Sequence, residues 1–239
     1  MPLPKIATPT YEMVLPSTGN TIKYRPFLVK EEKLLVIAME SEDNKHITNA
    51  IKQVIKSCIL SRGVKVDTLP TFDIEYLFLN IRGKSVGEEI ELNVICPDDE
   101  ETTVPVSINI DDIKVQKAEG HTNKIKLDEN LMMEMKYPSL EQFIKSNFDF
   151  ANGNVMEQSF ELIVSCIDKI YSTEEVWTCS DVTKKEMTDF LEQMNSAQFK
   201  EVEKFFETMP KLSHTIKVKN PNTKVQSDVT LEGLSSFFG

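Results

Sequence analysis

The chain has 239 residues and a formal charge of −11, with 40% hydrophobic and 27% charged residues. Those proportions suit a folded chain of one or two domains and exclude wholesale disorder. Asp and Glu outnumber Lys and Arg by 38 to 27, which excludes broad nucleic-acid binding through clustered basic residues.

No stretch approaches the roughly 20 apolar residues of a membrane span. The opening MPLPKIATPTYEMVLP has no continuous apolar core, so no secretory signal is expected. The four cysteines, Cys58, Cys96, Cys166 and Cys179, include no CxxC pair. Reduced, buried thiols in a cytosolic setting are therefore expected, not a disulfide framework.

In chain order, residues 1–20 carry Pro2, Pro4, Pro9 and Pro16 before Gly19-Asn20, which predicts an extended arm broken by turns. Such an arm either packs on a neighbour or frays. Ile22, Tyr24 and Leu34 to Ala38 suggest strands, with Lys30 to Lys33 as a charged turn or short helical insertion. Ser41 to Asn44 offers several caps for a helix bearing Ile47, Ala50, Ile51, Val54, Ile55, Cys58 and Ile59, ended by Arg62-Gly63. Val64 to Leu69 reads as extended. Thr71 caps a second helix, Phe72 to Arg82, which Gly83 is expected to stop. Alternation at Ile90, Leu92 and Val94, then Val104, Val106 and Ile108, predicts a hairpin around Pro97-Asp98-Asp99.

Lys124 to Lys136 suggests an extended pair around Asp128-Glu129, and Pro138-Ser139 precedes a short helical run at Leu140, Phe143 and Ile144. Asn152-Gly153-Asn154 marks a boundary. A helix follows through Val155, Phe160, Ile163, Val164, Ile167 and Ile170, then an extended Glu175 to Thr178. Thr183 to Met194 is helical, and Ser196 caps a helix bearing Phe199, Val202, Phe205, Phe206 and Met209. A last hairpin pairs Ile216 to Val218 with Val229 to Leu231 around Asn220-Pro221-Asn222, before LEGLSSFFG.

The two halves echo one another. IKSCIL (55–60) and IVSCID (163–168) align at an offset of 108, and LNVICPDD (92–99) and IKVKNPNT (216–223) at 124. The predicted fold is α+β, with two related helix-plus-β-hairpin halves whose hairpins resemble degenerate zinc ribbons, and an extended N-terminal arm. The expected divisions are an arm with strands over 1–40, a first half over 41–118, a connection over 119–154, and a second half over 155–239 ending in a Phe-rich tail.

Chemistry is sparse. A zinc ribbon needs two knuckles supplying four ligands, but Cys96-Pro97-Asp98-Asp99 has one thiol and Asn220-Pro221-Asn222-Thr223 has none. No metal and no cofactor is expected. GxSxG, HExxH, GxxxxGK[ST] and GxGxxG are all absent. His46, His121 and His214 are isolated and read as surface or capping residues. Cys58 and Cys166 lie on apolar stripes and read as core thiols, while Cys179 has no sequence-neighbouring His. Asp98 to Glu101 lacks the spacing of a calcium loop. No catalytic residue is assigned. Phe237 and Phe238 are expected to be buried, either on the chain's own core, as a lid over the last helix, or on a partner, as a docking tail.

FLVKEEKLLVIAMES (27–41), the Cys-Pro hairpin, and the closing hairpin with LEGLSSFF resemble the baseplate hub subunit family of T4-like bacteriophages. The resemblance implies a non-enzymatic structural or assembly protein of a contractile tail baseplate, made in the host cytoplasm. It implies partners among the other hub proteins and the central spike complex, with the tape-measure protein as a further candidate. No nucleic acid, membrane or small-molecule substrate is expected. Candidate docking residues are Phe27, Leu28, Leu234, Phe237 and Phe238. Two rival roles are an assembly chaperone that leaves before maturation and a baseplate-borne cell-wall hydrolase; a third is a zinc-ribbon adaptor.

Overall fold

A computed structural model describes residues 6–41, 43–139, 142 and 155–237. The protein is α+β: six α-helices and four small antiparallel sheets among the described residues.

The proline-rich opening folds back on itself. Tyr11–Val14 (β1) pairs with Thr21–Tyr24 (β2), in register from Tyr11 opposite Tyr24 to Val14 opposite Thr21. Gly19 adopts φ 71° in the connecting turn, a conformation that costs glycine little. Met13, Leu15, Ile22 and Tyr24 are buried. The turn is tied to a helix, since Ser17 donates its N–H (3.0 Å) and its hydroxyl to the fully buried Asp73.

Val29–Glu40 is a helix (α1), including the Leu34 to Ala38 stretch expected as a strand. Its Lys, Glu, Leu, Ala and Met content favours a helix over a short strand. Asn44–Cys58 (α2) is capped by Asp43, whose carboxylate accepts the Lys45 N–H at 2.8 Å. The helix stops at Cys58, not at Arg62-Gly63. Ile59 bridges Tyr24, and the Leu60 N–H donates to the Lys23 carbonyl at 2.8 Å, so the chain leaves the helix to run beside β2. A 3-10 turn occupies Val66–Thr68, within the stretch expected to be extended.

Thr71–Val86 (α3) passes straight through Gly83 and ends before Gly87, where φ reaches 125°. Gly83 is there for packing: a Cβ at this position would lie 2.9 Å from Cδ1 of Ile110. Glu89–Ile95 (β3) and Thr103–Asn109 (β4) form the first predicted hairpin. Lys114–Gln116 (β5) follows a short 3-10 turn.

Lys124–Lys126 (β6), Met132–Met135 (β7), Ile167–Tyr171 (β8) and Val176–Thr178 (β9) form one sheet in that order. Helix Val155–Cys166 (α4) gives way at once to β8, so Ile167 and Ile170 are strand residues and not helical ones. The register shifts between Glu134 and Met135, pairing Lys169 and Ile167 with them and skipping Asp168. This bulge turns two residues three apart to the same buried side and imitates a helical period. Lys184–Glu192 (α5) starts at a Thr183–Glu186 capping box. Ser196–Thr208 (α6) is capped by Asn195, one residue before the Ser196 expected to do so. Lys211–Lys219 (β10) and Gln226–Glu232 (β11) form the closing hairpin, followed by a 3-10 turn at Leu234–Phe237. The expected helical run at Leu140, Phe143 and Ile144 and the boundary at 152–154 lie outside the described residues, Gln142 excepted.

The chain groups into two compact units, and their division differs from the expected halves. One unit takes residues up to 66, 72–116 and from 211 onward; the other takes 67–71 and 117–210. The closing hairpin joins the first hairpin because β10 pairs with β5, Lys211 opposite Gln116 through Ser213 opposite Lys114. Its inward residues Leu212, Ile216 and Val218 share a core with Leu79, Ile90, Val94, Ile108, Ile113 and Phe237. In the other unit, Met133, Met135, Ile163, Ile167, Leu191 and Phe205 lie in a separate core.

Overpacking at Gly83 gives the first test. Gly83→Ala gains about 1 kcal/mol of helix propensity but forces Ile110 aside at a cost of roughly 1–3 kcal/mol. Urea denaturation should show Gly83→Ala destabilising the wild type and becoming neutral or stabilising in an Ile110→Val background, where the clashing methyl is gone.

Candidate functional site

Helix α1 is positioned from its first turn. Nη2 of Arg25 lies 3.0 Å from Oε1 of Glu31, with side-chain exposures of only 14% and 5%. The other Glu31 oxygen accepts the Leu28 N–H at 2.8 Å, closing half of a capping box. Lys30 Nζ adds a contact at 3.2 Å. Burial alone would raise the Glu31 carboxyl, but the bonds from Arg25, the Leu28 backbone and Lys30 outweigh it and hold the carboxyl below its usual range. Arg25 also donates to the Pro26 carbonyl (2.8 Å) and, from its backbone, to the Cys58 carbonyl (3.0 Å). The Phe27 N–H donates to the Ser85 hydroxyl at 2.9 Å, joining the entry of α1 to α3.

These anchors turn Glu31 and Ala38 inward. The outward side of α1 mixes exposed charges with exposed apolar residues. Val29 is 78% exposed, Met39 58%, Ile37 55%, Val36 48% and Leu28 41%. Val29 and Val36, seven residues apart, share one side of the helix. Val29 and Val36 form the centre of the outward side, with Ile37 and Met39 on its two flanks and the exposed Lys33 and Glu40 among them.

The sequence-selected residues divide. Phe27 is half-buried and Leu28 is exposed, both at the start of α1. Phe237 is fully buried in the core shared by the two hairpins, so it serves the chain's own interior and not a lid over the last helix. Leu234 sits in the terminal 3-10 turn. Phe238 lies outside the described residues. Val29, Val36, Ile37 and Met39 were missed, because reading Leu34 to Ala38 as a strand hides which residues share a helical face. The seven-residue spacing of Val29 and Val36 was the available signal.

Other groups with chemical potential are held structurally. Burial pushes the Cys58 and Cys166 thiols up to about 11. Cys179 is exposed in a shallow hollow, with Lys136 Nζ 3.5 Å from its sulfur. His121 is buried, not superficial: Nδ1 lies 2.9 Å from the Thr208 hydroxyl and Nε2 2.9 Å from the Tyr137 hydroxyl. Its ring stacks on Tyr137 at 5.7 Å between centroids. Burial lowers its proton affinity, with a smaller push from Lys117. Among the described residues, no group of three or more His, Cys, Asp or Glu is placed to hold a metal ion, and no helix is long and apolar enough to cross a membrane.

The sequence model of the family described as "T4 bacteriophage base plate protein" matches residues 8–239. The chain belongs to that family and is a structural protein of a T4-type tail baseplate. No curated protein and no solved structure matches it.

Two measurements test this geometry. Glu31→Ala leaves Arg25 unpaired in a mostly buried place and should cost roughly 3 kcal/mol in a denaturation experiment. For His121 the folded state prefers the neutral ring, so its contribution is complete above the unfolded pKa of about 6.5 and is lost as pH falls below it. The wild-type unfolding free energy should decline below that pH by at most about 1.4 kcal/mol per unit from this residue, and His121→Gln should remove that component.

Proposed function

We propose that the protein is a subunit of the baseplate hub and acts by association alone, with the outward face of α1 as its principal docking surface. That face is the observation carrying the reading. Full burial of a Val, Ile, Leu or Met side chain returns roughly 1.5–3 kcal/mol, of which the partly exposed Val36, Ile37 and Met39 still forgo about half. The T4 base plate family membership supplies a context of protein partners. The resemblance of Phe27 to Ser41 and of Ile216 to Phe238 to hub subunits supports the hub placement, and α1 lies within the first of these stretches.

In this reading the other hub proteins and the central spike complex are the partners, with the tape-measure protein as a further one, and assembly proceeds in the host cytoplasm. Leu28, at the head of α1, belongs to the docking face with Val29, Val36, Ile37 and Met39. The charge of −11 keeps the free subunit soluble and steers it toward basic partner surfaces. Removal of one centrally buried apolar contact from an interface commonly costs more than about 1 kcal/mol.

The test is a Val36→Glu, Ile37→Glu double variant expressed in infected cells lacking the wild-type gene. Its stability should stay within about 0.5 kcal/mol of wild type for each surface change. Its amount in purified baseplates, read by quantitative immunoblot, should fall at least about tenfold. Incorporation at wild-type level would remove α1 from the interface.

A further inference from the structure

The β3–β4 and β10–β11 hairpins of the first unit turn at a segment with proline second, Cys96-Pro97-Asp98-Asp99 and Asn220-Pro221-Asn222-Thr223, as the β1–β2 hairpin does at Leu15-Pro16-Ser17-Thr18. The first two turns are similar but not identical in backbone, the closing bond spanning six residues in one and five in the other, and the β1–β2 turn shares the pattern, with the Leu15 N–H donating to the Asn20 carbonyl at 2.9 Å and the Gly19 N–H to the Leu15 carbonyl at 2.8 Å. The Cys96 N–H donates to the Thr102 carbonyl at 2.8 Å, and the Asn220 N–H to the Val225 carbonyl at 2.9 Å. The Glu100 N–H donates back to the Cys96 carbonyl at 2.9 Å, and the Lys224 N–H to the Asn220 carbonyl at 3.0 Å. Glu100 and Lys224, each four residues after the first turn position, are the only non-glycine residues with positive φ among the described residues, at 56° and 67°. Two such turns, with side chains at their first and fourth positions, repeat the ligand spacing of zinc knuckles.

The residues at those positions do not fit a metal. Zinc takes four thiolate, imidazole or carboxylate ligands, and here the set is Cys96, Asp99, Asn220 and Thr223. The amide of Asn220 is oriented from both ends. Its Oδ1 accepts the N–H groups of Asn222 (2.8 Å) and Thr223 (3.3 Å). Its Nδ2 therefore faces the first turn, donating to both oxygens of Asp98 at 3.1 Å and to Asp99 Oδ2 at 2.8 Å. An N–H points where a cation would require a lone pair. The Thr223 hydroxyl donates to Asp98, and Asn222 Nδ2 donates to the Thr102 hydroxyl at 3.1 Å. Asp99 is itself oriented, accepting the Thr102 N–H at 3.0 Å. Asn220 is 1% exposed, so its bonds are made away from competing water.

We propose that the two turns form a metal-independent clasp, in which the Asn220 amide, held by its own turn, grips the Asp98 and Asp99 carboxylates and joins the closing hairpin to the first. The clasp is independent of the hub reading and of α1.

The experiment uses the purified full chain. After incubation with zinc and dialysis, elemental analysis should find substoichiometric metal, and EDTA should leave the melting temperature unchanged. Asp99→Ala and Asn220→Ala should each lower the urea midpoint, and the double variant should lose less than the sum of the two. A triple variant Asp99→Cys, Asn220→Cys, Thr223→Cys, which with Cys96 completes four thiols, should take up one cobalt ion with tetrahedral thiolate absorption and become EDTA-sensitive. Stoichiometric zinc in the wild type, EDTA-sensitive melting, or additive alanine effects would each overturn the clasp. A triple variant that folds but gives no tetrahedral cobalt spectrum, or that folds neither with nor without zinc, would overturn the equivalence to a knuckle pair. The wild-type and alanine measurements would still decide the clasp.

Discussion

Burial of the closing hairpin against the first hairpin organises the first unit. Leu212, Ile216 and Val218 on β10 meet Ile90, Val94 and Ile108 on β3 and β4, with Leu79 of α3 and Phe237 completing the interior. Each such side chain is worth roughly 1.5–3 kcal/mol when buried. That gain justifies a long return. The chain leaves this unit after Gln116 and re-enters at Lys211. Loop-closure entropy grows only with the logarithm of length, about 0.6 kcal/mol per doubling, so a long excursion adds little to the cost. The backbone pairing of β10 with β5, on either side of that excursion, sets the register in which the apolar residues meet.

The same unit carries a surface that its own core does not use. Arg25, Glu31 and the Ser85 contact fix the orientation of α1 through charge-assisted and backbone hydrogen bonds, which are directional. Apolar packing alone would leave α1 free to roll. The buried ion pair helps decide which side is outside, and so which residues the helix presents. In the proposed docking, specificity comes from that orientation and affinity from the exposed Val29, Val36, Ile37 and Met39.

Much of the local structure was legible. Apolar spacing in α2, alternation in both hairpins and capping signals at Asp43 and Thr183 all express short-range physics, and each element forms where those signals lie. The repeated cysteine motif was legible too: α2 ends at Cys58 and α4 at Cys166, and both thiols are fully buried. The misreadings have a common origin. Leu34 to Ala38 looked like a strand because a run of apolar residues has no clear period. Ile167 and Ile170 looked helical because a bulge in the partner register moved the alternation by one. Gly83 looked like a stop because only the approach of Ile110, distant in sequence, reveals a packing glycine.

Composition, periodicity and turn residues by themselves determined an acidic α+β chain with two proline-bent hairpins and no recognisable catalytic motif, because those properties depend on residues a few positions apart. Only the tertiary structure decided that the two hairpins share one core, that Phe237 is interior, that α1 keeps apolar residues outward, and that Asn220 grips Asp98 and Asp99. The shared core, the interior Phe237 and the Asn220 grip depend on side chains separated by tens to more than a hundred residues, and the seating of α1 joins the local Arg25–Glu31 pair to the distant Ser85.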